Sequence, residues 1–551
     1  MNNKDLANVI FPNIDKTIDD YKKIYPEREL NIGACVTRFA PSPTGFVHLG
    51  GLYQALMDYL IAKSSNGVFY LRNEDTDKER EIDSALDLIM STLEYYNLIP
   101  DEYQYKDKIV GSYGPYVQSE RKEIYQAFIK HFIEIGRAYP CFCSKETLDE
   151  VRHEQESFKI RTGYYGRYAT CRNLSIEEAI EKIKNGEEYI IRFKSFGDNE
   201  KRFKFNDLVK GKIFMPENDL DIVIMKRDGL PTYHFAHMVD DYLMGTTHVV
   251  RGEEWLSSLP IHVELFDALG VDAPNYIHTP LIMKKENDKL RKISKRKDPE
   301  ASMSYYQELG YPALAVIESL MTIINTNYEE WHKANPDKSF LDFKYDPKKM
   351  SASGGLYDLD KLDNISKTVI SKMNCNDLYN ESYNWSLKYS SELKDLIDRD
   401  VNYYKSVINI EREKAKPRKD ISKYSDIVDN IWYMYDDIYN SKDKSYEFQN
   451  VNDMNEVKNI LSLYIEKYLV LDNQEEWFNN IKSLCDELGY ASNMKEYKLD
   501  PSSYKGNVSD ISTVIRVSLT SKCMTPDLYE IMSVMGRERV INRLKNVIDN
   551  M

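Results

Sequence analysis

Cysteine is scarce in this chain, with seven in 551 residues, an odd count that argues against a disulfide framework and fits a reducing compartment. Long apolar runs are missing too. The most apolar stretch, Pro312 to Ile324, is interrupted by Glu318 and falls short of the ~18 residues a bilayer span needs, so no membrane segment is expected. The opening residues MNNKDLANVIFPNIDKTIDD have neither a basic leader before an apolar core nor an Arg/Ser-rich amphipathic character, and the expected location is cytoplasmic. An excess of basic residues is absent as well: 74 Lys and Arg stand against 89 Asp and Glu, a net charge of −15. That sum does not exclude a nucleic-acid partner, because a polyanion is held by a local basic surface acting within about a Debye length, ~8 Å at physiological salt. Internal repeats and low-complexity linkers are also absent. What remains is 42% hydrophobic and 30% charged with mean hydropathy −0.57, a soluble globular composition long enough for three or four domains.

From Asn31 the chain reads as a β-α-β unit. The apolar run Ala34-Cys35-Val36 predicts a strand, and the Pro- and Gly-bearing segment Thr37 to Gly45 predicts a loop. Leu52, Ala55, Leu56, Tyr59 and Leu60 recur at helical spacing, and Gly67 to Arg72 predicts a second strand that ends in the polar run Asn73 to Asp77. Ligand groups belong at that carboxyl end. Further strands are predicted over Ile222–Lys226, Thr247–Arg251 and Tyr276–Met283, with a helix from Glu253 to about Leu269. Together they imply an α/β fold, a Rossmann-type parallel sheet split by an insertion. The expected organisation is an N-terminal extension 1–30, a first sheet half 31–113, an insertion 114–220, a second sheet half 221–300, a connecting region 301–375 and a helical region 376–551.

The loop and helix start at Arg38 to Gly51 suit a bound nucleotide. Gly45, Gly50 and Gly51 allow close backbone approach, a helix amino end offers unpaired N–H groups, and His48 adds a donor for phosphate. The segment follows neither GxGxxG nor GxxxxGK[ST], so on spacing alone ordinary packing competes with this reading. The densest basic run, Lys284 to Lys297, follows the last predicted strand. It is either a solvated loop or a flexible arm whose Lys292, Lys295 and Arg296 bracket Ser294 and close over a triphosphate.

Thr37-Arg-Phe-Ala-Pro-Ser-Pro-Thr-Gly-Phe-Val-His-Leu-Gly-Gly51 closely resembles the HIGH-motif segment of class I glutamyl-tRNA synthetases, and Lys292-Ile-Ser-Lys-Arg296 resembles that family's variant of KMSKS. Four blocks lie between them in the family's order: Leu71 to Asp77, Gly114 to Arg121, Pro231 to Asp241 and Val249 to Trp255. The resemblance weakens after Arg296 but reaches Ile515–Thr520 and Met535–Arg539. Lys349-Met-Ser-Ala-Ser353 is superficially closer to KMSKS, yet it lacks the second lysine and is expected to lie beyond the sheet, so it is read as a decoy.

The resemblance implies that glutamate and ATP give an enzyme-bound adenylate and pyrophosphate, and that the glutamyl group then passes to the 3′ end of tRNA(Glu), with tRNA(Gln) an open second acceptor. Catalysis falls to His48, Lys292 and Lys295. ATP would lie on His48, Gly50, Gly51, Glu254, Trp255 and Lys295, with Mg²⁺ on the phosphates. Glutamate would meet Arg38, Ala40, Ser42, Glu74, Tyr233, His237 and Arg251, the arginines because a guanidinium fork pairs with a carboxylate. At His237 many relatives carry Asn. Cys141, Cys143 and Cys171 fall where some members hold structural zinc, with Tyr168 or Asn173 as the nearby fourth group; free thiols are the competing reading. The resemblance further implies that the two sheet halves 31–113 and 221–300 are catalytic, that the insertion 114–220 grips the acceptor stem, that 301–375 is a stem-contact region and that the helical half 376–551 grips the anticodon. There Lys405, Arg412, Lys414, Lys416, Arg418, Lys419 and Lys423 are the candidate backbone contacts and Tyr403, Tyr404 and Tyr424 the candidate stacking platforms. A monomer is expected. A glutaminyl enzyme would read PEPNG where this chain has Pro41 to Gly45, a glutamyl-queuosine enzyme would end soon after Arg296, and an NAD-dependent dehydrogenase would need GxGxxG in the first turn. An inactive tRNA-binding paralogue is the non-enzyme alternative.

Overall fold

Two parallel strand pairs position everything that follows. β1 (Val36–Phe39) runs parallel to β2 (Val68–Leu71), joined by α3 (Leu49–Ser64). β8 (His248–Gly252) runs parallel to β9 (Asn275–Thr279), with α6 (Leu259–Leu269) between them. The pairs meet where the Thr247 amide donates to the Val36 carbonyl at 3.0 Å. The computed structural model describes all residues except 44–46, 78–81, 83, 295, 352, 353 and 551.

Three details differ from the sequence expectation. The first strand sits later than expected, because the register with Val68–Leu71 pulls Thr37, Arg38 and Phe39 out of the predicted loop. The strand predicted over Ile222–Lys226 shortens to β7 (Val223–Met225) and pairs antiparallel with β4 (Ile190–Phe193), which itself pairs with β3 (Ala138–Cys141). It therefore belongs to the inserted sheet, not to the parallel one. The run Tyr276–Met283 breaks at Pro280, and Ile282–Glu286 (β10) turns back on Lys289–Lys292 (β11) as an antiparallel hairpin. Gly355–Leu356 adds to that hairpin beside β10, so the segment after Lys349-Met350-Ser351 is part of a small sheet after all. A separate ribbon, β5 (Arg202–Asp207) against β6 (Gly211–Pro216), brings Asp207 to the β9 strand.

Residues 1–30 are built into the core. α1 (Asn3–Ile10) and α2 (Ile18–Ile24) each start with a full capping box, from Asn2 and Thr17. Leu6, Ala7, Ile10, Phe11, Tyr21 and Tyr25 pack in one cluster with Phe128 and Phe132 of α4 (Lys122–Glu134) and with Phe235 and Met238 of α5 (Tyr233–Leu243). Arg28 grips the Glu102 carboxylate with two nitrogens, each at 2.8 Å.

The chain forms two compact units, one of residues 1–305 and 317–358, the other of residues 306–316 and 359–551. The division falls inside the span expected as a single region, 301–375, because the helix Leu359–Lys372 contributes Ile370 to the helical core of the second unit.

Candidate active site

Residues at and just beyond the carboxyl ends of β1, β2 and β8 line one cavity of about 580 Å³. Arg38, Ala40 and Ser42 reach it from β1, Glu74, Thr76 and Asp77 from β2, and Val250, Arg251 and Trp255 from β8. His48 and Gly51 bring in the amino end of α3, and Tyr233 that of α5.

His48 is the N-cap of α3. Its Nδ1 accepts the Gly51 amide at 3.1 Å, which places the proton of the neutral ring on Nε2. A Cβ on residue 50 would stand 3.0 Å from that Nδ1, so Gly50 makes room for the imidazole and does not itself line the cavity.

Beneath the cavity lies a buried network of charges. Arg38 Nε donates to Asp241 at 3.2 Å, and Arg72 donates to Asp241 at 2.7 Å and to Glu74 at 2.9 Å. Arg121 donates to Asp240 at 2.8 Å. Burial works to raise the Asp241 carboxyl, but Arg38, Arg72 and His237 more than offset it and hold it well below the usual carboxylate range. Glu74 goes the other way, since burial outweighs the arginines and pushes its carboxyl up.

Arg251 donates through Nε to His278 and pairs through Nη1 with His262, while its buried Nη2 has no hydrogen-bond partner. Tyr233 packs against Trp255 with ring centroids 4.6 Å apart.

Three other sequence candidates, His237, Glu254 and Lys292, do not line this cavity. His237 is fully buried, 2.7 Å from Asp241 and 2.8 Å from the Tyr276 hydroxyl, so the residue expected on the substrate belongs to the layer below it. Glu254 is exposed and folds over Gly252, where a Cβ would collide with its carboxylate. Lys292 ends β11 in solvent, and Lys295 lies outside the described residues. Near them Arg291 donates to Asp298 and Glu286, Lys284 meets Asp298 and Glu300, and the Ser294 amide donates to Asp298 at 2.8 Å.

Sequence reasoning missed Asp58, Gln118 and Lys226, all of which line the cavity. Asp58 had a signal, a lone acid inside the apolar run Leu56-Met57-Asp58-Tyr59-Leu60. Burial pushes its carboxyl well above the usual range, against the pull of Arg38. Lys226 donates to the Thr76 carbonyl at 2.6 Å, a pairing across 150 residues that no local pattern announces.

Away from this cavity, the ligand atoms of Cys141, Cys143 and Cys171 lie within 4.8 Å of one another. The Tyr164 hydroxyl stands 3.4 Å from the Cys141 sulfur and 3.2 Å from that of Cys143. Tyr168, expected nearby as a fourth group, instead engages Arg167 and Glu154. In the second unit the expected RNA-facing set thins out. Tyr404 and Tyr424 are core residues, Arg412 is buried on the Ile370 and Met373 carbonyls, and the side chain of Arg418 is buried beside Asp420. Lys414 is tied to Glu411, Asp527 and Glu530, whereas Lys416 and Lys419 are exposed.

The sequence profile for the catalytic domain of class I tRNA synthetases (E and Q) matches residues 34–338, and that for an anticodon binding domain matches residues 504–548. A glutamate–tRNA ligase of Acetivibrio thermocellus is 47% identical, with 100% of both chains covered, and one of Clostridium perfringens is 46% identical with the same coverage. The crystal structure of a glutamate tRNA ligase from Elizabethkingia meningosepticum, in complex with its amino acid, superposes with a TM-score of 0.74 at 27% identity, covering 94% of this chain and 99% of that one. With its parallel strand pairs, its His48-capped helix and matches that span its full length, this chain belongs to the glutamate–tRNA ligase family of class I tRNA synthetases.

Proposed function

We propose that the cavity activates glutamate with ATP and that the glutamyl group then passes to the 3′ end of tRNA(Glu), with tRNA(Gln) tested as a second acceptor. The observation that carries this reading is a helix amino end, capped by a histidine, in the same cavity as Arg251, whose Nη2 has no hydrogen-bond partner. The first suits phosphate; the second suits carboxylates. The α-carboxylate of glutamate attacks the α-phosphorus of ATP, the bond to pyrophosphate breaks, and the mixed anhydride remains. A ribose hydroxyl of the terminal adenosine then attacks the carbonyl carbon and AMP departs. No protein nucleophile takes part, so catalysis is positioning and charge stabilisation.

His48 Nε2 and the first turn of α3 hold phosphate, Trp255 borders the nucleotide, and Lys292 with Lys295 offsets charge on the pyrophosphate. Arg251 takes the side-chain carboxylate of glutamate, while Glu74, Ser42, Ala40 and Tyr233 shape its amino-acid end and Arg38 orders that floor. Mg²⁺, which takes oxygen ligands and neutralises phosphate, would find Asp77 on the cavity wall and the phosphates themselves. The working form proposed is a cytoplasmic monomer whose residues 114–220 meet the acceptor stem. Zinc is proposed for the Cys141, Cys143 and Cys171 cluster. Zn–S bonds of about 2.3 Å place tetrahedral sulfurs ~3.8 Å apart; the Cys143 and Cys171 sulfurs lie 3.5 Å apart, all three sulfurs fall within 4.8 Å of one another, and the Tyr164 hydroxyl beside them is the proposed fourth ligand. Protein purified without chelator should carry close to one zinc, lost in Cys171→Ser; below ~0.2 equivalents this reading fails.

The test of the cavity is glutamate-dependent ATP/pyrophosphate exchange with each tRNA present and with glutamine as control. Arg251→Gln should raise the KM for glutamate about a hundredfold, the worth of a lost charged pair of ~3 kcal/mol. An unchanged KM would remove Arg251 from the site.

A further inference from the structure

Arg251 differs from the other arginines of this region. Arg38, Arg72 and Arg121 each rest on a buried carboxylate. Among the described residues no carboxylate lies within ion-pairing distance of Arg251, although it is almost wholly buried. Its partners are two imidazoles that are completely buried: Nε lies 2.9 Å from His278 Nε2 and Nη1 lies 2.8 Å from His262 Nδ1.

Because a guanidinium only donates, each imidazole must accept, and this fixes the tautomers. His278 carries its proton on Nδ1, 2.7 Å from Asp207 Oδ2. Asp207 is in turn held by the Val209 and Lys210 amides at 2.9 and 2.7 Å. His262 carries its proton on Nε2 and donates it to His234 Nδ1 at 2.9 Å. The sequence Asp207–His278–Arg251–His262–His234 is thus an unbroken line of hydrogen bonds in which every donor and acceptor is assigned.

We infer that His278 and His262 are positioning residues for glutamate selection: they hold Arg251 with neutral acceptors, so that Nη2 is left without a protein partner and the positive charge of the guanidinium stays unpaired until the substrate's carboxylate arrives. A carboxylate in either place would hold the arginine equally well but would spend its charge inside the protein and favour an uncharged side chain such as an amide. Burial keeps both imidazoles below their ordinary range, and the Arg251 charge adds to the effect, which keeps them neutral acceptors. The inference rests on the proposed contact of Arg251 with the substrate.

Gln and Glu have the same shape and both accept a hydrogen bond, so they separate charge from architecture. His278→Gln and His278→Glu are made on an Asp207→Asn background, so that no neighbouring carboxylate keeps the new glutamate protonated. In tRNA-supported pyrophosphate exchange, the Glu variant should show a glutamate KM at least about tenfold above the Gln variant, with equal ATP KM values and a weaker preference for glutamate over glutamine. Equal glutamate KM values in the two variants would overturn the inference. If either protein lacks a cooperative melt, the same Gln/Glu pair at His262 reads the same ratio. Arg251→Gln separates the two layers of argument: if it leaves the glutamate KM unchanged, the substrate contact itself is wrong, whereas a raised KM there together with equal Gln and Glu variants rejects only the histidine role.

Discussion

Arg72 and Arg291 each donate hydrogen bonds to two carboxylates, and the two sites behave differently because of where water is. Arg72 donates to Glu74 and Asp241 with none of its side chain exposed, while Arg291 donates to Glu286 and Asp298 with 26% of its side chain in solvent. In the first site desolvation is severe and must be met by complete pairing: Asp241 serves Arg38 and Arg72, stands 2.7 Å from His237 and accepts from the Tyr70 and Thr246 hydroxyls. In the second, high dielectric weakens the pair with Glu286, and two buried carboxylates act as fixed anchors: Asp298, 2% exposed at its side chain, for Arg291, Lys284 and the Ser294 amide, and Glu300, 5% exposed, for Lys284. A rigid floor suits recognition of a small acid. The hairpin hangs from two buried carboxylates beside an otherwise exposed pair.

The largest effect should come from breaking the floor. Asp241→Asn leaves Arg38 and Arg72 buried without their shared anion and should cost about 3–5 kcal/mol of unfolding free energy. The sign with pH follows from the lowered carboxyl. Asp241 contributes stability that is fully present above its unfolded value near 3.9, and that contribution is lost as pH falls through the depressed folded value. Denaturant titrations at neutral pH should therefore show the full gap between wild type and variant, and the gap should narrow only in strong acid. A cost under ~1 kcal/mol at neutral pH would mean that the floor is as soft as the hairpin.

Asp298→Asn should act on the hairpin alone. Losing the charged acceptor for Arg291 and Lys284 is worth about 2 kcal/mol, which is roughly a thirtyfold rise in hydrogen exchange at the β10–β11 amides. The unfolding midpoint of the whole chain should hardly move. An equal loss across the parallel strands would show that the arm is not a separable element.

The same contrast explains what the sequence disclosed. The α3 helix and the second strand were legible because their apolar spacing and punctuating Pro and Gly act locally, and the ordered motif blocks because they resemble a known family. Residues 1–30 were not. Their apolar positions make sense only against α4 and α5, more than a hundred residues away. Likewise Val223–Met225 reads as a strand, but nothing in it says that its partner is Ile190–Phe193 and not the parallel sheet. In the cavity, Arg38, Glu74 and Arg251 stood out through the family resemblance, while His237 slipped a layer down because it finds Asp241 and Tyr276 beneath the cavity. Lys226 and Asp240 owe their places to pairings that cross 150 and 119 residues.

The smallest effect belongs to two exposed lysines of the second unit, Lys416 and Lys419, which rest on neither a floor nor an anchor. Of the basic residues expected to face RNA, Lys416 and Lys419 remain in solvent, Lys419 touching only the Thr368 hydroxyl, whereas Arg418 is folded in beside Asp420. If the lysines contact phosphate, each releases counterions when RNA binds, at about 0.7–0.9 in the slope of log K against log salt. Replacing both with Ala should then flatten the slope for tRNA by about 1.5, lower affinity by less than tenfold at physiological salt and leave thermal stability unchanged, since neither holds a structural pair. Arg418→Ala should do the reverse, lowering the melting temperature through Asp420 and its packed neighbours while keeping the slope. If the lysine pair lowers stability and Arg418 changes the slope, the division between exposed and buried cations in this unit has been drawn the wrong way round.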